Sequence, residues 1–182
     1  MTKKIDNLNE KSIKKIIFIG LDNGGKTSII LSLKGINLMS LNTSNPTRGI
    51  ETSNLTLSDE RFNIWDFGGQ EQYRIKHLEE FRINFKETDK LIYVIDIQDL
   101  ERYDLAINYL KKILNKINKG FNQIKFSLFL HKYDPNLKEV KPEITDAIVE
   151  DLISKIKELL PSKFWDEIYK TTIYTVFERT NV

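Results

Sequence analysis

Gly20-Leu21-Asp22-Asn23-Gly24-Gly25-Lys26-Thr27 fits the pattern G-x-x-x-x-G-K-[ST], and this stretch decides the fold. Upstream, residues 12–19 are rich in β-branched side chains and read as a buried strand ending at Gly20. Downstream, residues 27–33 have helical spacing and stop at Gly35. A strand, a glycine-rich turn and a helix N-terminus in that order form a phosphate cradle. The glycines let the backbone wrap phosphates, while amide groups and the helix dipole supply positive potential. Lys26 reaches β- and γ-phosphate oxygens, and the Thr27 hydroxyl can ligate Mg²⁺. Asp22, Asn23, Gly24, Gly25 and Ser28 complete the nucleotide-binding stretch.

Working outward, residues 36–49 are a loop dense in Asn, Ser and Thr. Residues 50–57 and 61–65 alternate like strands around Ser58-Asp59-Glu60, which predicts a hairpin. Residues 70–86 permit a helix. Residues 90–97 and 124–130 read as strands, and residues 168–174 as a last one. Residues 100–117 carry a helical stripe of Leu105, Ile107, Leu110, Ile113, Leu114 and Ile117. Residues 143–160 carry another, of Ile144, Ile148, Leu152, Ile156 and Leu159, closed by Pro161. The alternation predicts an α/β fold: a doubly wound, mostly parallel sheet with one antiparallel edge strand. Residues 1–12 read as an N-terminal tail or short helix, and residues 13–182 as one domain. Ligands on such sheets sit at the carboxyl ends of the strands. The loops there start at Gly20, Asp66, Asp96, His131 and Thr171, and the Asp96 loop shows nothing specific.

Composition agrees with a single domain. The chain has 182 residues, 40% hydrophobic and 30% charged, enough to bury a core and stay soluble. Its apolar runs are strand-sized, so no membrane span is expected. It has no Cys, which excludes disulfides, thiolate metal sites, prenylation and palmitoylation. Thr2 stands where a myristoylated glycine would be, so membrane anchoring is not expected. The net charge of +2, with Lys and Glu interspersed, does not suggest nucleic acid. A cytoplasmic location is the starting expectation.

Three later segments carry chemistry. Trp65-Asp66-Phe67-Gly68-Gly69-Gln70 ends the hairpin. Asp66 can hold Mg²⁺, the Gly69 amide can bond a γ-phosphate oxygen, and Gln70 can orient an attacking water. Gln70 and Lys26 are therefore the candidate catalytic residues. In Asn45-Pro46-Thr47, the Thr47 hydroxyl can complete the metal shell and its amide can bind the γ-phosphate. Thr27, Thr47 and Asp66 make the candidate metal set. His131-Lys132-Tyr133-Asp134 follows a strand. The Asp134 carboxylate can accept from guanine N1–H and the N2 amine, a donor pair that adenine lacks. The Lys132 stem can cover the base face. His131 is a poor metal ligand, since His77 is the only other His. Tyr73, Phe81, Phe85 and Tyr93 read as core aromatics. Lys3, Lys4, Lys11, Lys14 and Lys15 read as a solvated tail.

With these motifs, the sequence resembles the Ras-superfamily small GTPases over roughly residues 13–176. Residues 20–27, Pro46-Thr47 and residues 65–70 resemble the Arf branch. The interval from Gln70 to His131, the His-Lys-x-Asp form at 131–134 and Lys170-Thr171-Thr172-Ile173 resemble the Rag branch. The mixture suits an archaeal or early-branching member. The resemblance implies that Thr172 and Ile173 lie in the last guanine-binding loop. The usual Ser-Ala-Lys pattern is missing there, so backbone amides would recognise guanine O6. His131 replaces the Asn usual in this motif, which weakens the bond that Asn makes to the phosphate loop. The myristoylated helix of Arf proteins and the C-terminal dimerisation domain of Rag proteins have no counterpart.

The expected function is a GTP-binding molecular switch that hydrolyses GTP to GDP and phosphate with Mg²⁺. Residues 40–50 and 67–80 would order around the γ-phosphate and relax after hydrolysis. Without an arginine finger, rates in this class are on the order of 10⁻⁴ s⁻¹. Arg48 follows Thr47, whereas a cis arginine precedes the threonine, so Arg48 is not given that role. A GTPase-activating protein (GAP), an exchange factor and effectors are the expected partners, with a nucleotide-dependent dimer as a further expectation. Two rivals are a locked GTP/GDP module that hardly hydrolyses and an ATP-dependent kinase. Gln70 speaks against the first and Asp134 against the second.

Overall fold

The apolar runs set the centre of the sheet, and the glycine-rich turn sits at its edge of reversal. The computed structural model describes residues 12–36, 45–117 and 123–173. In chain order the elements are β1 (Lys14–Gly20), α1 (Lys26–Leu33), β2 (Ile50–Leu57), β3 (Glu60–Phe67), α2 (Glu71–Glu79) and α3 (Phe81–Asn84). Then follow β4 (Lys90–Asp96), α4 (Tyr103–Ile117), β5 (Lys125–His131), α5 (Leu137–Val140), α6 (Asp146–Leu159) and β6 (Ile168–Lys170). Six strands form one sheet in the order β2-β3-β1-β4-β5-β6. Only β2 runs antiparallel, at the edge, as the alternation predicts. The β2–β3 turn places Ser58 and Asp59 at φ 46° and 65°, the two positive values that a tight two-residue hairpin needs.

β1 pairs with β3 on one side and β4 on the other, so the winding reverses at its carboxyl end. That reversal opens a crevice where ligands bind such sheets. The period of two along β1 divides the core. Ile17 and Ile19 join a large cluster with Tyr93, Leu110, Leu128 and Ile156 under α4 and α6. Phe18 joins a smaller one with Ile29, Ile30 and Val94 under α1. Each such side chain, fully buried, contributes about 1.5–3 kcal/mol.

Several local expectations change. The predicted helix over residues 70–86 is two helices, broken at Glu80, where ψ is 18°. α4 starts at Tyr103 after a 3-10 turn over Leu100–Arg102. Its inward stripe is Ala106, Tyr109, Leu110, Ile113 and Leu114, so Leu105 lies exposed. In α6 the inward residue is Val149 rather than Ile148. α5 and the 3-10 segment Ser162–Glu167 were not expected; neither has a sustained apolar period. The last strand stops at Lys170, leaving Thr171–Ile173 as loop.

Phe81, Phe85 and Tyr93 are buried, as core aromatics should be, while Tyr73 is half-buried. Lys15 is no tail residue. Its Nζ lies 3.8 Å from the Trp65 ring centroid and donates to the Asn84 and Lys86 carbonyls at 2.7 and 3.0 Å. The expected N-terminal tail up to residue 11, with Lys3, Lys4 and Lys11, lies outside the described residues, as do residues 37–44 and 174–182. Among the described residues no helix is long and apolar enough to cross a membrane.

Candidate functional site

The turn after β1 delivers Lys26 and Thr27 to the crevice at the head of α1. Gly25, the residue before the helix, has φ 85°, and a Cβ there would lie 2.5 Å from His131 Cδ2. Only glycine meets both demands. The Lys26 side chain is buried, and its Nζ donates to Leu21 O at 2.7 Å. Desolvation pulls its pKa down to about 8, against the raising charges of Asp66 and Asp22. A cation held in that state gains from an anionic ligand. Lys26 lines a cavity of about 280 Å³ with Asn23, Thr27, Ser28, Thr47, Gly69 and Gln70.

The three candidate metal ligands converge there. The Thr27 and Thr47 hydroxyls lie 3.0 Å apart, and both donate to Asp66 Oδ2, at 2.5 and 3.1 Å. β3 delivers Asp66 and α1 delivers Thr27, while the loop before β2 brings Thr47. Asp66 Oδ1 is buried with no hydrogen-bond partner among the described residues. Burial raises the Asp66 pKa, against the two hydroxyls and Lys26. A buried carboxylate with one oxygen unsatisfied, beside two hydroxyls, is a hard all-oxygen donor set that fits Mg²⁺.

Gly68 and Gly69 pass across the mouth of the cradle. A Cβ on Gly69 would lie 2.1 Å from Asp22 N, so the two backbones touch. Gln70 caps α2 and lines the cavity. Asp22 also lines it, but Arg102 takes its carboxylate at 2.9 Å and Arg74 stands at 3.8 Å. The motif predicts Asp22 beside the nucleotide. The structure shows its side chain turned to these two arginines, with its backbone left to the cradle.

At the next loop His131 is buried, its Nδ1 3.0 Å from Thr171 Oγ1 and its ring against Gly25. It therefore reaches the phosphate loop by packing. Desolvation lowers its pKa. Lys132 has φ 63°, lines the cavity, and places Nζ 2.6 Å from Asp96 Oδ2. Asp134 lines a separate cavity of about 260 Å³ with Tyr133 and Leu137. Its Oδ1 accepts from Thr172 Oγ1 at 2.5 Å and its Oδ2 from Gln98 Nε2 at 2.9 Å. Gln98 also donates to Lys132 O at 2.9 Å. The loop after Asp96, which shows nothing specific in sequence, thus supports the whole 131–134 segment. The available signal was an Asp closing the apolar run of β4. Ile173 packs its side chain on the cluster under α1, so any contact with a base would come from its backbone.

The ADP-ribosylation factor family profile matches residues 1–175. ADP-ribosylation factor-like protein 2 of Dictyostelium discoideum is 33% identical over 159 residues, covering 86% of this chain and 76% of that protein. The structure of the Arl6 BBS3 small GTPase from Trypanosoma brucei, with bound nucleotide analogue GppNp, superposes with a TM-score of 0.64. That match covers 88% of this chain and 87% of the other at 21% identity, a likeness of fold.

Proposed function

This chain belongs to the ADP-ribosylation factor family, whose members are GTP-binding switches, and from that premise we propose that it hydrolyses GTP to GDP and phosphate and signals the difference to partner proteins. The observation that carries this reading is the meeting of Thr27, Thr47 and Asp66 beside buried Lys26. The Rag-like character and an archaeal origin rest on the motifs alone.

Thr27, Thr47 and Asp66 would hold Mg²⁺. When bound, Mg²⁺ offsets charge on the phosphate oxygens. Lys26 adds a fixed cation, and its carbonyl partners hold it in place. Gly69 offers its amide to the γ-phosphate, and Gln70 holds the attacking water. Asp134 accepts from guanine N1–H and N2 amine with the lone pairs that Gln98 and Thr172 leave. Adenine would leave the half-buried carboxylate without those donors. Arg48 is exposed and does not line the cavity, so we assign the missing arginine to a GAP. An exchange factor and effectors would read residues 40–50 and 67–80.

The test is the nucleotide that co-purifies, released by denaturing the protein and separated by chromatography. GDP or GTP near one per chain is expected, with chelation of Mg²⁺ speeding its release. ATP, or no nucleotide binding at all, would overturn the reading.

A further inference from the structure

Two side chains of α2 turn back onto the backbone that crosses the cradle. Arg74 and His77 stand three residues apart, so both face the same side of the helix, and both are buried. The His77 Nε2–H donates to the Gly68 carbonyl at 3.2 Å. The Arg74 guanidinium donates to the Gly69 carbonyl at 2.6 Å. The Gly68 N–H donates to Gly49 O at 2.8 Å. That leaves the Gly69 N–H, which no described residue accepts from.

This N–H belongs to the same peptide as the Gly68 carbonyl. The peptide is trans, so its N–H points opposite to its C=O. Holding the carbonyl on His77 therefore turns the N–H away from α2. Gly69 lines the cavity with Lys26 and Gln70 on that other side. Two consecutive glycines restrain themselves poorly, so the peptide needs an outside anchor. The Phe67 ring, 4.5 Å from the imidazole centroid, holds the anchor's plane. Burial pushes the imidazole down to about 4, so it is neutral near pH 7 with one N–H, and the carbonyl acceptor puts that proton on Nε2.

We propose that His77 is a positioning residue: it pins the Gly68 carbonyl so that the Gly69 N–H is aimed at the γ-phosphate, and this lets the chain tell GTP from GDP. The inference rests on the guanine-nucleotide reading above. Arg74 fixes the following peptide, which carries the Gln70 N–H, but it also faces Asp22 and the Tyr109 ring. His77 is the cleaner probe.

The experiment measures Kd for GDP and for a non-hydrolysable GTP analogue, with Mg²⁺, on the full chain and its His77→Leu and His77→Gln variants. His77→Leu should hold GDP within about twofold of wild type and lose about three- to tenfold for the analogue, the loss of one hydrogen bond. His77→Gln, whose amide can still donate, should recover most of that loss. If His77→Leu does not fold, His77→Asn, too short to make the contact, replaces it. Equal losses for both nucleotides, or an unchanged ratio, overturn the proposal and leave His77 as packing. If the wild type binds neither nucleotide, the guanine reading itself fails and the proposal with it.

Discussion

The Lys132 ammonium lies 2.6 Å from Asp96 Oδ2, so the carboxyl end of β4 clamps the loop that follows β5. The clamp is local, because Asp96 and His131 are paired in register. Lys132 turns back to it with its backbone at φ 63°. Asp96 also accepts from Gln98 N–H at 2.9 Å, and Gln98 in turn holds Asp134. One carboxylate thus orders both residues proposed to meet the base.

Asp96→Asn should therefore weaken guanine nucleotide binding more than it weakens the fold. The ion pair is partly exposed, so its loss costs about 1 kcal/mol of stability. GDP dissociation should speed up about tenfold, because Lys132 loses its anchor and Gln98 its acceptor charge. Stopped-flow release of a fluorescent GDP, set beside thermal melts, reads both. An unchanged release rate would remove Asp96 from the site.

Asp134→Asn should turn preference from guanine toward xanthine. Xanthine presents a carbonyl where guanine presents its N2 amine, and an amide can donate to it. The surrounding network tolerates the change. The Thr172 hydroxyl can accept from the new amide, while the remaining oxygen still accepts from Gln98. GTP affinity should fall by at least about tenfold, the cost of leaving a donor unmatched in a specific pocket. Competition between GTP and xanthosine triphosphate measures the switch, and equal GTP affinity in variant and wild type would sink the guanine assignment.

Much of the fold and of the candidate site is legible in the sequence. Gly20 to Thr27 and Asp66 to Gln70 are contiguous motifs, so spacing alone places Lys26, Thr27, Asp66 and Gln70. Continuous apolar runs marked β1, β4 and β5 because both faces of each are covered. Asp96, Gln98, Arg74 and His77 were not legible. Asp96 and Gln98 act on Lys132 and Asp134, partners that follow from the strand order and not from spacing. Arg74 and His77 act on the backbone carbonyls of Gly69 and Gly68, which no side-chain motif marks. Leu105 misled for a related reason: a 3-10 turn shifts the start of α4 and rotates its inward face.

Protonation of His77 should weaken the ligand-free protein in mild acid. Burial pulls the imidazole from 6.5 to about 4; the Gly68 bond and Glu80 oppose this, while Lys26 and Lys76 reinforce it. Between those values the unfolded chain binds a proton that the folded chain refuses. Stability from this group is thus complete above about pH 6.5 and is lost as pH falls toward 4, by up to about 3 kcal/mol. His131 acts in the same direction, and Asp66, raised by burial, acts in the other. Comparing wild type with His77→Gln cancels those shared contributions. Between pH 7.5 and 5 the urea midpoint should fall less in the variant than in the wild type; an equal fall in both would mean that His77 takes up no proton on unfolding.

Gln70 tests the hydrolysis reading most directly. It caps α2 and lines the cavity beside Gly69, yet it makes no contact that grips the Thr27–Thr47–Asp66 cluster. Gln70→Leu should therefore keep GTP affinity within about threefold of wild type, since uniform binding is untouched. Its proposed task exists only in the transition state, where it orients water, so turnover should fall selectively. The unhydrolysed γ-phosphate would then keep its hold on Thr47 and Gly69, and residues 40–50 and 67–80 should stay protected for longer. Single-turnover phosphate release gives the first quantity and hydrogen exchange gives the second. Equal turnover in variant and wild type, with both well above background, would place the water on another residue, and Tyr73, half-buried on α2, is the next to remove. Negligible turnover in both would instead favour a locked module, and slow exchange in the wild type would then distinguish it from a protein that has lost its nucleotide.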